Sequence, residues 1–287
     1  MMPRVGAAMD IRFGATVEEF IQYIVGLGLD HVELTAEYLH GHPETPAPET
    51  VGELAAEYGV SVTYHAPFRD WNLGSFNDNS ARAGVQQVKE SLDAAAAAGA
   101  GAVVVHGGSV PRRYPSWVRN RGRRNAIESL RSCAEHAAAV GVPLCLENQP
   151  GSERDERHTV GPDALAETLE RVGVGPEALR ITLDVGHARV NGNDYREYVD
   201  RFGDRITVCH LHDNDGRSDA HDPLTGYETV VDTVGAAYNV FEMKTPGEIA
   251  DCLGTDPGDT PAETPRTAPV GTKRSEHSSP AEESSRQ

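Results

Sequence analysis

Short apolar, β-branched runs recur along this chain, and from the third onward each closes on histidine, aspartate or glutamate. They read TYHAP at His65, VVHGG at His106, CLEN at Glu147, TLDVGH at Asp184, VCHLHD at His210 and VFEMK at Glu242. With two earlier runs they make eight strand candidates, at residues 5–9, 31–34, 61–65, 102–106, 143–147, 180–184, 206–210 and 238–242. Longer amphipathic or Ala-rich stretches alternate with them, at 16–27, 50–58, 80–98, 123–140, 162–172 and 194–202. Gly28, Gly59, Gly99 and Gly141 follow four of these, as glycine does where a helix must end in a left-handed residue.

Strand-length runs separated by helix-length runs imply crossover connections, so the strands lie parallel with helices packed outside them. Eight such units predict an α/β chain folded as a (β/α)8 TIM barrel, an architecture that needs ~250 residues. The stretch 226–237 is short for a seventh helix and 246–253 is a stub, so the last helices are expected to be abbreviated. Residues 1–254 are read as the barrel. Residues 255–287 are rich in Pro, Ser, Thr and Glu without apolar periodicity. Such a segment buries too little surface to offset the entropy of ordering, and it is expected to be a disordered acidic tail.

In a parallel barrel the side chains at the C-terminal strand ends converge on one mouth. Carboxylates pointed at a shared space repel one another and are costly to bury. A divalent cation removes that conflict, and Glu147, Asp184, His210 and Glu242 form a mixed oxygen and nitrogen set suited to Mn, Mg, Co or Zn. Any one of these residues alone is explained as a solvated strand end or a structural hydrogen bonder. Their repetition at strand ends is what points to a metal site.

The chain carries 44 acidic against 26 basic residues, and Lys89, Lys244 and Lys273 are its only lysines. That balance reads as adaptation to a salt-rich cytoplasm, as in a halophilic archaeon, and counts against nucleic-acid binding, which needs basic side chains at phosphates. Cys133, Cys145, Cys209 and Cys252 form no CxxC pair and are expected to be reduced core residues of a cytoplasmic protein. No apolar run approaches the ~20 residues of a membrane span, and the N-terminal stretch lacks the apolar run of a signal peptide, so neither is expected. Arg112, Arg113, Arg119, Arg121, Arg123 and Arg124 crowd one stretch after the fourth strand. They read either as a solvated loop and helix start or as a phosphate clamp. Arg69 and Arg217, beside HAPF and HLHD, are further candidates for substrate contact, whereas Trp71 and Trp117 are expected to pack.

The motifs HAPF, NLGS, VVHGG, LEN, LDVGHA, HLHDNDG, DAH and FEMK together resemble the xylose isomerase-like barrel superfamily over about residues 5–253. That group includes sugar and sugar-phosphate isomerases and epimerases as well as endonuclease IV. The isomerase branch implies one metal on Glu147, Asp184, His210 and Glu242, with Glu147 and Glu242 also acting as acid and base through an enediolate and His187 orienting a substrate oxygen. The substrate is then a small sugar, sugar phosphate or related polyol, with Arg217, Arg69, Arg112 and Arg113 as its binding candidates. The endonuclease branch implies three zinc ions on nine ligands, adding His65, His106, His187, Asp219 and His221, and a zinc-dependent phosphodiesterase acting on abasic DNA. A non-catalytic sugar-binding barrel is a third reading. Nucleic acid is a partner only under the second reading. A homodimer that covers the abbreviated seventh helix is also expected.

Overall fold

The computed structural model describes residues 3–254, and the tail expected at 255–287 lies outside them. Ten strands run β1 Arg4–Met9, β2 His31–Thr35, β3 Ser61–His65, β4 Val103–His106, β5 Ser109–Pro111, β6 Leu144–Glu147, β7 Asp155–Arg157, β8 Leu179–Asp184, β9 Ile206–Leu211 and β10 Tyr238–Phe241. Eight of them close a barrel in the order β1-β10-β9-β8-β6-β4-β3-β2, while β5 and β7 form a separate two-stranded antiparallel ribbon. Every barrel pair is parallel. The chain is thus a TIM barrel, as the alternation predicts.

Among the described residues ten α-helices accompany the strands: α1 Val17–Gly26, α2 Ala36–Gly41, α3 Pro48–Tyr58, α4 Asp78–Ala97, α5 Ser116–Val140, α6 Pro162–Val172, α7 Val185–Val190, α8 Tyr195–Phe202, α9 Tyr227–Val234 and α10 Pro246–Cys252. In α1, Thr16 and Glu19 form a capping box that satisfies otherwise orphaned N–H groups. Its Val17, Phe20, Ile21 and Ile24 are buried at helical spacing, and full burial of each side chain contributes roughly 1.5–3 kcal/mol. The main core lies between strands and helices and includes Val32, Leu34, Leu144, Leu146 and Leu183 of the strands with Leu92, Leu130 and Leu165 of the helices. A smaller apolar plug of Ala8, Ala102, Val104, Cys145, Val208 and Val240 fills the barrel interior.

Gly6 shows how tightly the barrel closes. It pairs with His31 across β1 and β2, and a Cβ there would sit 1.6 Å from the His31 carbonyl oxygen, so any side chain would pry the two strands apart. All four cysteines are buried and free, and burial pushes the Cys133 and Cys145 thiols up to about 12. Among the described residues no helix is long and apolar enough to cross a membrane.

Three expectations need correction. The eighth strand stops at Phe241, so Glu242 is the first residue past it. Helix α5 starts at Ser116 instead of 123 because Val118, Gly122 and Ala126 already form a buried stripe, which the charged arginines between them conceal. Of those arginines, Arg119 and Arg123 bond Glu156 and Arg121 bonds Asp78. Trp117, expected to pack, is 70% exposed.

Candidate metal centre

Strand register brings the predicted ligands to one level. His106 is the direct partner of Glu147, and Asp184 of His210. Asn148 then locks the two halves together: its amide oxygen accepts from the Asp184 N–H and its amide nitrogen donates to the Asp184 carbonyl, both at 2.8 Å. Asp184 also caps α7, accepting from the His187 N–H at 2.7 Å. This cap sets His187 over the mouth and explains why the residues after LD leave the strand at once.

Glu147, buried to 1% exposure, looks two ways. Its Oε2 lies 2.9 Å from His106 Nε2 and 3.3 Å from His65 Nε2. Its Oε1 lies 3.5 Å from His210 Nδ1 and 3.2 Å from His187 Nδ1. On the floor of the mouth, His210 Nδ1 is also 3.3 Å from Glu242 and 3.9 Å from Asp184. A third group stands beside these, with His187 Nε2 and His221 Nε2 at 3.2 and 3.6 Å from Asp219 Oδ2. His221 has φ +50°, a left-handed conformation unusual outside glycine, and is held there by Nδ1 at 2.9 Å from the Glu242 carbonyl.

Tautomers show that these residues fit a cation. A carbonyl oxygen can only accept, and Nδ1 of His65, His187 and His221 each lies 2.8–2.9 Å from one: Ala66, Asn148 and Glu242. Each neutral ring therefore carries its proton on Nδ1 and turns the lone pair of Nε2 toward a carboxylate oxygen. Lone pair against lone pair is repulsive unless a proton or a metal ion lies between them. Carbonyls that fix ligand imidazoles in this way are the usual second layer of a metal site. His210 adds to the case, since its buried ring nitrogens have no hydrogen-bond partner although carboxylates surround it.

The protonation preferences agree. Burial alone would depress the His210 and His187 imidazoles, but Glu242, Glu33 and Glu147 around the first, and Asp184, Asp219 and Glu147 around the second, hold both well above the ordinary range. His65 and His221 reach about 9 against the same opposing burial, through Glu147 and Asp219 respectively. Burial would raise Glu147 and Asp184, yet the neighbouring imidazoles hold both low. For His106 burial outweighs the pull of Glu147 and the ring is lowered. Anionic carboxylates facing imidazoles that attract protons make a receptor for positive charge, which a divalent ion satisfies by displacing those protons.

The mouth is a cavity of about 650 Å³ whose wall includes His65, His106, Glu147, His187, Asp219, His221 and Glu242. Arg69 lines it, with Arg12, Arg157 and Lys244, which the sequence reading did not single out. Arg112, Arg113 and Arg217 are exposed and are not part of that wall; Arg112 bonds the Ser152 carbonyl and Arg113 lies over Tyr114. Two further residues belong to the cluster, neither given a role from the sequence. Glu33, fully buried on β2, lies 3.2 Å from His210 Nε2, and its signal was a second polar residue two positions after His31 in a buried strand. His212 lies 3.0 Å from Asp184 and stacks on His221; it alternates with His210 in HLHD.

Residues 21–245 match the family model described as xylose isomerase-like TIM barrel. An uncharacterized protein of Methanocaldococcus jannaschii is 31% identical over 173 residues, 59% of this chain and 57% of the relative. A probable endonuclease 4 of Mycobacterium ulcerans is 29% identical over 188 residues, 61% of this chain and 66% of the relative. Fructoselysine 3-epimerase of Escherichia coli is 23% identical over 208 residues, 68% of this chain and 70% of the relative. A solved D-tagatose 3-epimerase-like protein shares the fold at a TM-score of 0.75 and 23% identity, covering 88% of this chain and 94% of that one. The chain thus spans 57% and 62% of the lengths of the two Methanocaldococcus relatives it matches.

Proposed function

The chain belongs to the xylose isomerase-like TIM barrel family, and from that premise we propose that it is a divalent-metal-dependent isomerase or epimerase of a sugar, sugar phosphate or related polyol. The observation that carries this reading is the placement of Glu147 and Glu242, from β6 and just past β10, within 3.5 and 3.3 Å of the same nitrogen, His210 Nδ1. Two carboxylates within reach of one point in a cavity of sugar-accommodating size are the equipment for removing a proton and returning one. The names of the fructoselysine 3-epimerase and D-tagatose 3-epimerase-like relatives support the same chemistry.

In this reading Glu147, Asp184, His210 and Glu242 hold the ion. A bound divalent cation supplies Lewis-acid polarisation of a substrate carbonyl and its neighbouring hydroxyl. Glu147 or Glu242 takes the proton from the carbon between those groups, and the opposite carboxyl returns one. His187, fixed by Asn148, orients a substrate oxygen, and Arg69 on the cavity wall meets an anionic or hydroxyl group at the outer end. The test is turnover of ketohexoses and their phosphates in D2O with manganese or cobalt present. Solvent deuterium is expected at the epimerised carbon, with exchange at least about 100-fold slower in both Glu147→Gln and Glu242→Gln. Unchanged exchange in both variants contradicts the assignment.

A second reading has its own observation. Glu147 turns one oxygen toward His65 and His106 and the other toward His210, as a bridging ligand would, and His187, Asp219 and His221 form another group. Three ions in three such bays would suit a zinc phosphodiesterase, in keeping with the name of the endonuclease 4 relative. Cleavage of an abasic-site duplex by protein carrying three zinc ions per chain would favour it.

A further inference from the structure

His210 has two ring nitrogens to dispose of and no backbone carbonyl to decide between them. Its Nδ1 faces Glu147, Asp184 and Glu242, so its Nε2 needs an acceptor on the other side. Glu33 stands there. It is fully buried, and β2 pairs in register with β3 so that Glu33 lies beside Thr63 and His31 beside Ser61. Oε2 of Glu33 accepts from the Thr63 hydroxyl at 2.9 Å. Oε1 has no hydrogen-bond partner and lies 3.2 Å from His210 Nε2, a distance that a small turn of either side chain converts into a bond.

The remaining contacts fix the direction of the chain of bonds. A carboxylate cannot donate, so the single Thr63 proton goes to Glu33, and Thr63 Oγ1 must accept from His31 Nε2, 3.0 Å away. His31 then carries its proton on Nε2, leaving Nδ1 to accept from the Ser61 hydroxyl at 2.8 Å. Every donor in this line points toward Glu33. No proton in it can be offered to His210, and the one role left to Glu33 Oε1 is to accept.

We propose that Glu33 is the positioning residue for His210: by accepting the Nε2 proton it fixes the ring in the tautomer that leaves Nδ1 free for the metal. The inference rests on reading His210 as a ligand and goes beyond it, because it gives Glu33 a role behind His210, at Nε2, and not at the ligand nitrogen Nδ1. A buried carboxylate behind a ligand histidine raises the basicity of the ligand nitrogen and fixes its orientation, and removing it typically costs 10–100-fold in metal affinity. A Gln in place of Glu33 keeps the shape but can offer its amide N–H to Nε2, which drives the ring proton to Nδ1.

Zinc titration by calorimetry, with nitrogen-15 spectra of histidine-labelled, zinc-loaded protein, tests this. In the parent, His210 should show a protonated Nε2 and a metal-bound Nδ1, and Glu33→Gln should bind zinc at least about 10-fold more weakly. A parent that binds zinc through Nε2 of His210, or a folded Glu33→Gln that binds within about twofold of the parent, overturns the role of Glu33 alone. A parent that binds none of zinc, manganese and cobalt overturns the metal reading and this inference with it. If Glu33→Gln does not fold, the parent spectrum still decides.

Discussion

The rings of His212 and His221 stack face to face, with centroids 3.9 Å apart and planes inclined by 12°. The stack ties the end of β9 to the loop that carries Asp219, and the same His212 holds Asp184 at 3.0 Å. Removing the ring should loosen two groups of ligands without opening the barrel. We expect His212→Ala to keep its fold by circular dichroism while losing about 10–100-fold in affinity for zinc. Calorimetric titration beside the parent measures this, and equal affinities would show that the stack has no part in holding the site.

Gly186 leaves the room that His212 occupies. A Cβ there would meet His212 Cε1 at 2.1 Å and Nδ1 at 2.3 Å, too close for the ring to stay. Overfilling of this kind costs typically about 1–3 kcal/mol. Gly186→Ala should therefore lower the thermal midpoint and weaken metal binding together. A variant with the parent's midpoint and affinity would contradict the packing described.

Two buried imidazoles make the fold sensitive to acid. Burial lowers His31 to about 4 against the opposing pull of Glu33 and Asp30, and lowers His158 to about 4 with help from Arg123 and against Glu156. Both must be neutral when folded, so below pH 6.5 the unfolded chain takes up protons that the folded chain refuses. Stability is full above pH 6.5 and falls as pH drops toward 4, by about 3 kcal/mol per ring. Neither nitrogen of His158 has a hydrogen-bond partner, so an apolar residue suits the position. Denaturant titrations of His158→Leu between pH 7 and 4.5, a range set by the ordinary and folded His values, should give a shallower decline than the parent. Parallel curves would contradict this.

The arginines separate by position. Arg69 lines the cavity and lies over Phe68 at 5.1 Å, whereas Arg112 and Arg113 do not line it. A charge-assisted bond to substrate is worth roughly 1.5–3 kcal/mol, so Arg69→Ala should raise KM at least about 10-fold on an accepted substrate. Arg112→Ala and Arg113→Ala should stay within about twofold. The reverse pattern would return the phosphate clamp to the start of α5.

The barrel was legible in the sequence because its strands are buried on both faces and end abruptly at ionisable residues, so TLD and VCH mark both an element and a position in it. Glu147, Asp184, His210 and Glu242 share one mouth because strand register fixes their level. Glu33 was not legible: it sits mid-strand in HVELT, where a polar residue reads as a surface-facing alternation until the closed barrel shows that the inner face is the site. The start of α5 was hidden by arginines whose partners, Glu156 and Asp78, are remote in sequence. The six-residue helices α2 and α7 and the β5–β7 ribbon are too short for periodicity to reveal; α7 is set by the Asp184 cap and the ribbon by pairing between strands remote in sequence.

The claim on which the rest depends is that the mouth of the barrel holds a divalent ion between Glu147, Asp184, His210 and Glu242. Crystals of the protein grown with manganese, with diffraction data recorded near the manganese absorption edge, test it directly. We expect an anomalous peak in contact with all four side chains, one that Asp184→Asn weakens or removes. Well-ordered side chains in that map with no peak between them would contradict the account.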